Sequence, residues 1–255
     1  AYEMQRSLVG SEMCIRDRIK IEDERYVGGT PYASVLEVSG IMGALHGMRN
    51  PKNSWRLADS YINENGETVI GENDMRLAQT LIKAGPEHRK FLRMIHVQFD
   101  INLPRYVWSE LDTYGYVVRN SCSTMHKLLN NDDEKDWKET ILDELLYTRG
   151  DIQLENFWVA NEDVDIVLDC IDRLNSIKRE YFATTKTSER KHLRRRAKQI
   201  LNESWLQMRT LDTNYEQLRN IYLQRRHHLL DVEWQLVCKM IESLPYAKEL
   251  ILYGV

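Results

Sequence analysis

The 255-residue sequence contains no run of about 18 apolar residues, the length a membrane-spanning helix needs. Nor does it carry the basic start, apolar core and small-residue cleavage site of a secretory signal. Four cysteines (Cys14, Cys122, Cys170, Cys238) fall at no paired spacing, which argues against a disulfide framework or a zinc knuckle. His88, His96, His126, His192, His227 and His228 form no His-Glu-x-x-His or comparable pattern, so no metal is expected. Neither GxGxxG nor GxxxxGKS occurs, so the common glycine-rich phosphate loops are missing. These absences lead to an expectation of a cytoplasmic protein in a reducing compartment, with no membrane partner.

What is present suits a folded domain. Hydrophobic residues make up 42% and charged residues 29%, enough to bury a sizeable core. The formal net charge is −4, so nucleic acid is not expected as a partner, although the basic stretch KHLRRRAK (191–198) keeps a local contact open. Residues 1–18 need separate treatment, because QRSLVGSEMCIRDR resembles translated sequencing-adapter DNA. The expectation is a non-native leader over 1–18 and a single domain over 19–255. An adapter-like leader hints at environmental sequencing, and a phage-encoded protein acting in the host cytoplasm is the matching guess.

Local patterns predict a helix-rich α+β fold with a small, mostly antiparallel sheet. IKIEDERYV reads as a strand closed by Gly28-Gly29-Thr30-Pro31, and SVLEVSGIMGALHGM as a helix. ENDMRLAQTLIKA predicts a helix ended by Gly85 and Pro86, and FLRMIHVQFDI a strand. Pro104 should open a short helix over RYVWSELDTY. Further helices are expected over Asp132–Leu146 and, capped by Asn161, over Asn161–Tyr181. Thr213-x-x-Glu216 reads as a capping box that starts one long helix to about Ser243.

Two features carry chemistry. On that last helix Leu218, Ile221, Tyr222, Leu229, Val232, Leu236 and Met240 form one stripe, and Arg225 projects from its middle. An arginine there needs an anion. An acid such as Glu233 would supply one, as would snorkelling to solvent, and a phosphate or carboxylate ligand is the functional alternative. The second feature is the segment Asn120-Ser121-Cys122-Ser123-Thr124-Met125-His126, which sets hydroxyls, a thiol, an amide and an imidazole side by side. It is either a solvated loop or a ligand cradle. A Cys122–His126 nucleophile pair is the weaker idea, since buried cysteines outnumber reactive ones.

With both segments in hand, the chain resembles the flavin-dependent thymidylate synthases, the thymidylate synthase-complementing family. The family shows a strand, a proline-led helix, Arg-His-Arg, seven residues and a serine, with an Asn-Glu-x-Ser core. FDINLPRYVWSELDTYGYVVRNSCSTMH follows that layout, with Pro104, Asn120 and Ser123 at the matching positions. The family's Asn/Asn/Arg/Glu spacing of six, five and eight residues is matched by Asn214, Asn220, Arg225 and Glu233. The chain departs at Thr113-Tyr114-Gly115, which stands where Arg-His-Arg would be, and at Ser121 and Met125.

The resemblance implies methylation of dUMP to dTMP with methylenetetrahydrofolate as carbon donor, FAD as cofactor and NADPH as reductant, in a homotetramer. It implies that Arg225 and Lys198 hold the nucleotide phosphate and that Ser123, Cys122 and Thr124 cradle the uracil nucleotide. Flavin contacts would fall to His88, Thr113, Tyr114, Gly115, Asn120, Asn214 and Asn220. No residue is assigned as catalytic, and Ser123 is a substrate contact rather than a nucleophile. A non-catalytic nucleotide-binding descendant and a helical nucleic-acid-binding protein remain the other two readings.

Overall fold

The computed structural model describes residues 18–129 and 151–255. Residues 1–17 of the leader expected over 1–18 and the helix expected over Asp132–Leu146 lie outside the described residues, as do the side chains of Met125 and His126. The strands are β1 (Ile19–Lys20), β2 (Tyr26–Gly28), β3 (Tyr32–Ser39), β4 (Tyr61–Ile62), β5 (Thr68–Val69), β6 (His96–Pro104), β7 (Val118–Ser121), β8 (Trp158–Ala160) and β9 (Leu206–Asn214). The helices are α1 (Ile41–Met48), α2 (Glu72–Ala84), α3 (Arg105–Leu111), α4 (Thr124–Leu128), α5 (Val164–Ala183), α6 (Thr187–Ile200), α7 (Tyr215–Arg225) and α8 (Asp231–Glu242).

One antiparallel sheet organises the molecule, in the order β1-β3-β6-β9-β7. Its central strand β6 shows why. Val97, Phe99, Ile101 and Leu103 alternate with His96, Gln98 and Asp100, and the apolar set is buried against the helical side. Each such side chain contributes roughly 1.5–3 kcal/mol by leaving water. Two small ribbons, β2–β8 and β4–β5, complete the strands. The architecture is α+β with a small antiparallel sheet, as the sequence predicts. No described helix is long and apolar enough to cross a membrane.

Several local expectations change. SVLEVSGIMGALHGM is not one helix but the end of β3 followed by α1. Gly40 divides them at φ 86°, and a Cβ there would meet the Met94 carbonyl oxygen at 2.2 Å. The strand expected over 91–101 starts only at His96, after a 3₁₀ stretch from Arg89 to Met94. IKIEDERYV splits into β1 and β2 around a turn. The expected helix over Asn161–Tyr181 begins at Val164, and the Asn161 amide donates to the Glu24 carbonyl at 2.9 Å instead of capping it.

The long C-terminal helix is two. Asn214, not Thr213, caps α7, accepting from the Gln217 N–H at 3.0 Å. The chain then turns between Arg226 and Leu230, where Leu229 is 96% exposed, before α8 begins. The reason is in the run Gln224-Arg225-Arg226-His227-His228, more than one helical turn with no apolar side chain to hold against the core.

A second cluster of buried residues lies between α5 and α6 and includes Leu128, Ile152, Phe157, Leu174 and Trp205. Asn175 ties it down. Its Oδ1 accepts from the Ile152 N–H at 2.7 Å and its Nδ2 donates to the Ile152 carbonyl at 2.9 Å, all in a buried setting. Asn175→Ala leaves both backbone groups unpaired, at about 1–3 kcal/mol each. Thermal unfolding should show a Tm lower by several degrees; an unchanged Tm would mean that water replaces the amide.

Candidate functional site

Thr113, Tyr114, Gly115, Asn220 and Arg225, of the residues singled out by sequence, gather where α3 ends and the chain turns through Thr113–Val117 toward β7. Pro104 and the Trp108 indole fix α3, the indole donating to the Leu103 and Gln207 carbonyls at 3.2 and 2.8 Å. Arg119 closes the turn from inside. Its guanidinium donates to the carbonyls of Val117 at 2.7 Å, Leu111 at 2.9 Å and Tyr114 at 2.8 Å, and its charge faces Asp112 at 3.1 Å. Arg209 of β9 pairs with the same carboxylate at 2.8 Å and lies 4.1 Å over the Trp108 ring. Burial lowers the Arg209 pKa, an effect opposed by Asp112.

Arg225, at the end of α7, faces this turn with 16% of its side chain exposed. Its Nε donates to the Tyr114 hydroxyl at 2.7 Å and its Nη1 to Glu110 Oε2 at 2.8 Å. Its guanidinium lies 4.5 Å from the centre of the Trp234 ring and 5.4 Å from that of Tyr114. The anion an arginine in this place calls for is therefore Glu110 of α3. Glu233, the sequence-level candidate, is buried elsewhere and accepts from the Tyr106 hydroxyl, whose pKa is raised first by burial and then by that bond. Tyr114 also donates to Gln224 Oε1 at 2.9 Å, and Gln224 Nε2 donates to Asn220 Oδ1 at 3.0 Å. One hydrogen-bonded chain thus joins Arg225, Tyr114, Gln224 and Asn220. Thr113 donates its hydroxyl to the Glu110 carbonyl at 2.7 Å beside it, and Gly115 is exposed.

The other sequence-chosen residues stand apart. Asn120 is exposed on β7, paired with Thr210 of β9. Beyond it the Cys122 N–H donates to the Met208 carbonyl at 3.0 Å, and Gln207 Nε2 donates to the Cys122 carbonyl at 2.9 Å, so the segment is fastened by backbone. Ser123 is the exposed residue at the N-cap position before α4 and makes no side-chain capping bond; Thr124 is half-buried. Lys127, one turn on, is buried, and that burial lowers its amine pKa against an opposing influence of Cys122. Lys198 projects from the exposed face of α6, and among the described residues no hydrogen bond or ion pair joins it to the Arg225 cluster. His88 is exposed before the 3₁₀ stretch, and Asn214 sits opposite His96 at the far end of β9. Six residues of strand, about 20 Å, separate Asn214 from the Cys122 anchor at Met208.

The residues assigned to FAD do not fit it. Thr113, Tyr114, Gly115, Asn120, Asn214 and Asn220 include no cation for a pyrophosphate, the exposed His88 makes no hydrogen bond to any of them, and Arg119 is engaged with turn carbonyls. Asn214 is engaged as a helix cap, and Tyr114 and Asn220 in the Arg225 network. Sequence reasoning missed Glu110, Trp234, His228 and Gln224. Glu110 and Trp234 reach Arg225 from α3 and α8, and no local spacing signals contacts between separate elements. Among the described residues no group of three or more His, Cys, Asp or Glu side chains is placed to hold a metal ion.

No protein-family profile matches the chain, and no curated protein matches it by sequence. Solved structures do match. One is a flavin-dependent thymidylate synthase, ThyX, from Helicobacter pylori complexed with FAD and dUMP, at TM-score 0.58 and 17% identity over 86% of this chain and 97% of that one. A second structure of Helicobacter pylori ThyX with FAD and dUMP matches at TM-score 0.58 and 16% identity, over 86% and 95%. The likeness is one of fold: this chain has a thymidylate synthase X-like architecture along most of its length.

Proposed function

We propose that the chain binds a pyrimidine nucleoside monophosphate of the dUMP class on this fold. The observation that supports the reading is Arg225, a planar cation held flat by Trp234 and oriented by Tyr114, yet still partly open to solvent. Such a guanidinium is suited to a phosphate. In this reading Lys198 supplies a second positive charge. Ser123, with Cys122 and Thr124, offers hydroxyl and backbone groups to the sugar and base at the exposed start of α4. Because Lys198 and Asn214 lie apart from Arg225 within one chain, the complete site is proposed to form between copies, in a homotetramer.

A wider reading, flavin-dependent methylation of dUMP with methylenetetrahydrofolate and NADPH, is favoured by the extent of the fold likeness to two FAD- and dUMP-bound structures. It requires a flavin seat that another copy completes. FAD bound there would supply the redox chemistry; residues of this chain would bind and orient the nucleotide.

The two readings separate in one experiment. The full chain is incubated with FAD, freed of unbound flavin, and its visible spectrum and Tm are recorded with and without dUMP. A colourless protein whose Tm rises with dUMP supports nucleotide binding alone. A retained flavin spectrum perturbed by dUMP supports the wider reading. At 100 times Kd the nucleotide should stabilise by about 2.7 kcal/mol, several degrees in Tm for a chain of this length. Ser123→Ala should weaken dUMP binding roughly ten-fold while the ligand-free Tm stays within a degree or two, since the hydroxyl makes no capping bond. Unchanged affinity would remove Ser123 from the site.

A further inference from the structure

We infer that Glu110 is a specificity-determining residue of the Arg225 site, an internal anion that occupies the seat a ligand's phosphate would take. This rests on the nucleotide-binding reading above. Glu110 Oε2 is the meeting point of two N–H donors from separate helices, with the His228 imidazole close beside it. Arg225 Nη1 reaches it from α7 at 2.8 Å, Trp234 Nε1 from α8 at 3.2 Å, and His228 Nε2 from the intervening turn at 3.4 Å. The His228 tautomer follows from its other nitrogen. Nδ1 accepts from the Leu230 N–H at 3.2 Å, so the proton of the neutral ring is on Nε2, the nitrogen 3.4 Å from Glu110 Oε2.

None of these three groups depends on Glu110 for its position. Tyr114 holds Arg225 Nε, the Trp234 indole is fully buried and lies against the guanidinium, and Leu230 orients His228. The Glu110 side chain is 30% exposed, so it has a path to solvent that leaves α3 in place. Swung outward, it leaves two N–H groups, Arg225 Nη1 and Trp234 Nε1, aimed at one point with His228 beside them, a preformed seat for a phosphate oxygen. Left in place, it sets a carboxylate against any phosphate that approaches Arg225, and the two like charges repel. Affinity for phosphate-bearing ligands is thus set by how readily Glu110 yields, while a nucleoside without phosphate is indifferent to it.

The test is calorimetric titration of the full-length protein with dUMP, deoxyuridine and inorganic phosphate, in the wild type, Glu110→Gln and Glu110→Ala. Removing the charge is expected to tighten dUMP about ten-fold or more, the scale of one charge-assisted hydrogen bond, with deoxyuridine unchanged. The alanine variant should act in the same direction and serves if the glutamine variant does not fold. If the wild type binds dUMP and neither variant binds it more tightly, Glu110 is a structural partner of Arg225 and the inference is overturned. If none of the three proteins binds dUMP or phosphate, the nucleotide reading itself fails and the inference falls with it.

Discussion

Asp74→Ala is expected to destabilise the protein by about 3–5 kcal/mol, enough to be plain in the midpoint of a urea unfolding curve. Asp74 and Arg49 are both buried, with 1% and 3% of their side chains exposed, and are joined at 2.5 Å. The carboxylate also accepts from the Asp59 and Ser60 N–H groups at 3.1 and 3.0 Å and from the Ser60 hydroxyl at 2.6 Å. These bonds fasten the loop 49–60 to the first turn of α2. Alanine removes all of them and strands a buried guanidinium. Burial by itself raises the Asp74 pKa, but the hydrogen bonds from Ser60 and Arg49 outweigh it and hold the group below its ordinary 3.8. A folded pKa below the unfolded one stabilises above the ordinary value, and that contribution is lost as pH falls through the folded pKa. Acid unfolding below about pH 4 should therefore be shallower in Asp74→Asn than in the wild type. A loss under about 1 kcal/mol in Asp74→Ala would show that Arg49 finds another anion or water.

Arg225→Ala should remove the dUMP-dependent rise in Tm altogether while leaving a folded protein. The fold survives because Glu110 keeps the Trp234 Nε1 donor, has His228 Nε2 3.4 Å away, and is itself partly exposed. The expected structural cost is about 1–3 kcal/mol, with part of it from lost packing on Trp234. Scanning fluorimetry of both proteins with and without dUMP checks the two effects together. A variant that still responds fully to dUMP would take Arg225 out of the site. A variant that does not fold, beside a wild type that ignores dUMP, would make Arg225 a member of a structural ion pair only.

Elements whose signals are local were legible in the sequence. The proline before α3, the Gly85 stop after α2 and the alternating β6 pattern all act within a few residues. β3 was not, because Val35, Leu36 and Val38 fit a helical period as well as a strand until Gly40 turns the chain. The broken C-terminal helix followed from the same weakness: an apolar stripe carried across five polar residues assigned Leu229 to a core it never enters. The break in the helix also decides which acid meets Arg225. On one continuous helix Glu233 lies two turns away on the same side, whereas in the fold the turn at 226–230 sends it toward Tyr106. That Arg225 needs an anion was readable from burial alone. That Glu110 supplies it was not, since 115 residues separate the pair and only the packing of α3 against α7 and α8 brings them together.

The most direct measurement is a calorimetric titration of dUMP into the flavin-free full-length protein at fixed ionic strength. Saturable binding of one nucleotide per chain, absent in Arg225→Ala, is the predicted result. No binding at millimolar dUMP, or equal binding by the wild type and Arg225→Ala, would contradict a nucleotide site at Arg225 and leave only the fold in common with the thymidylate synthases.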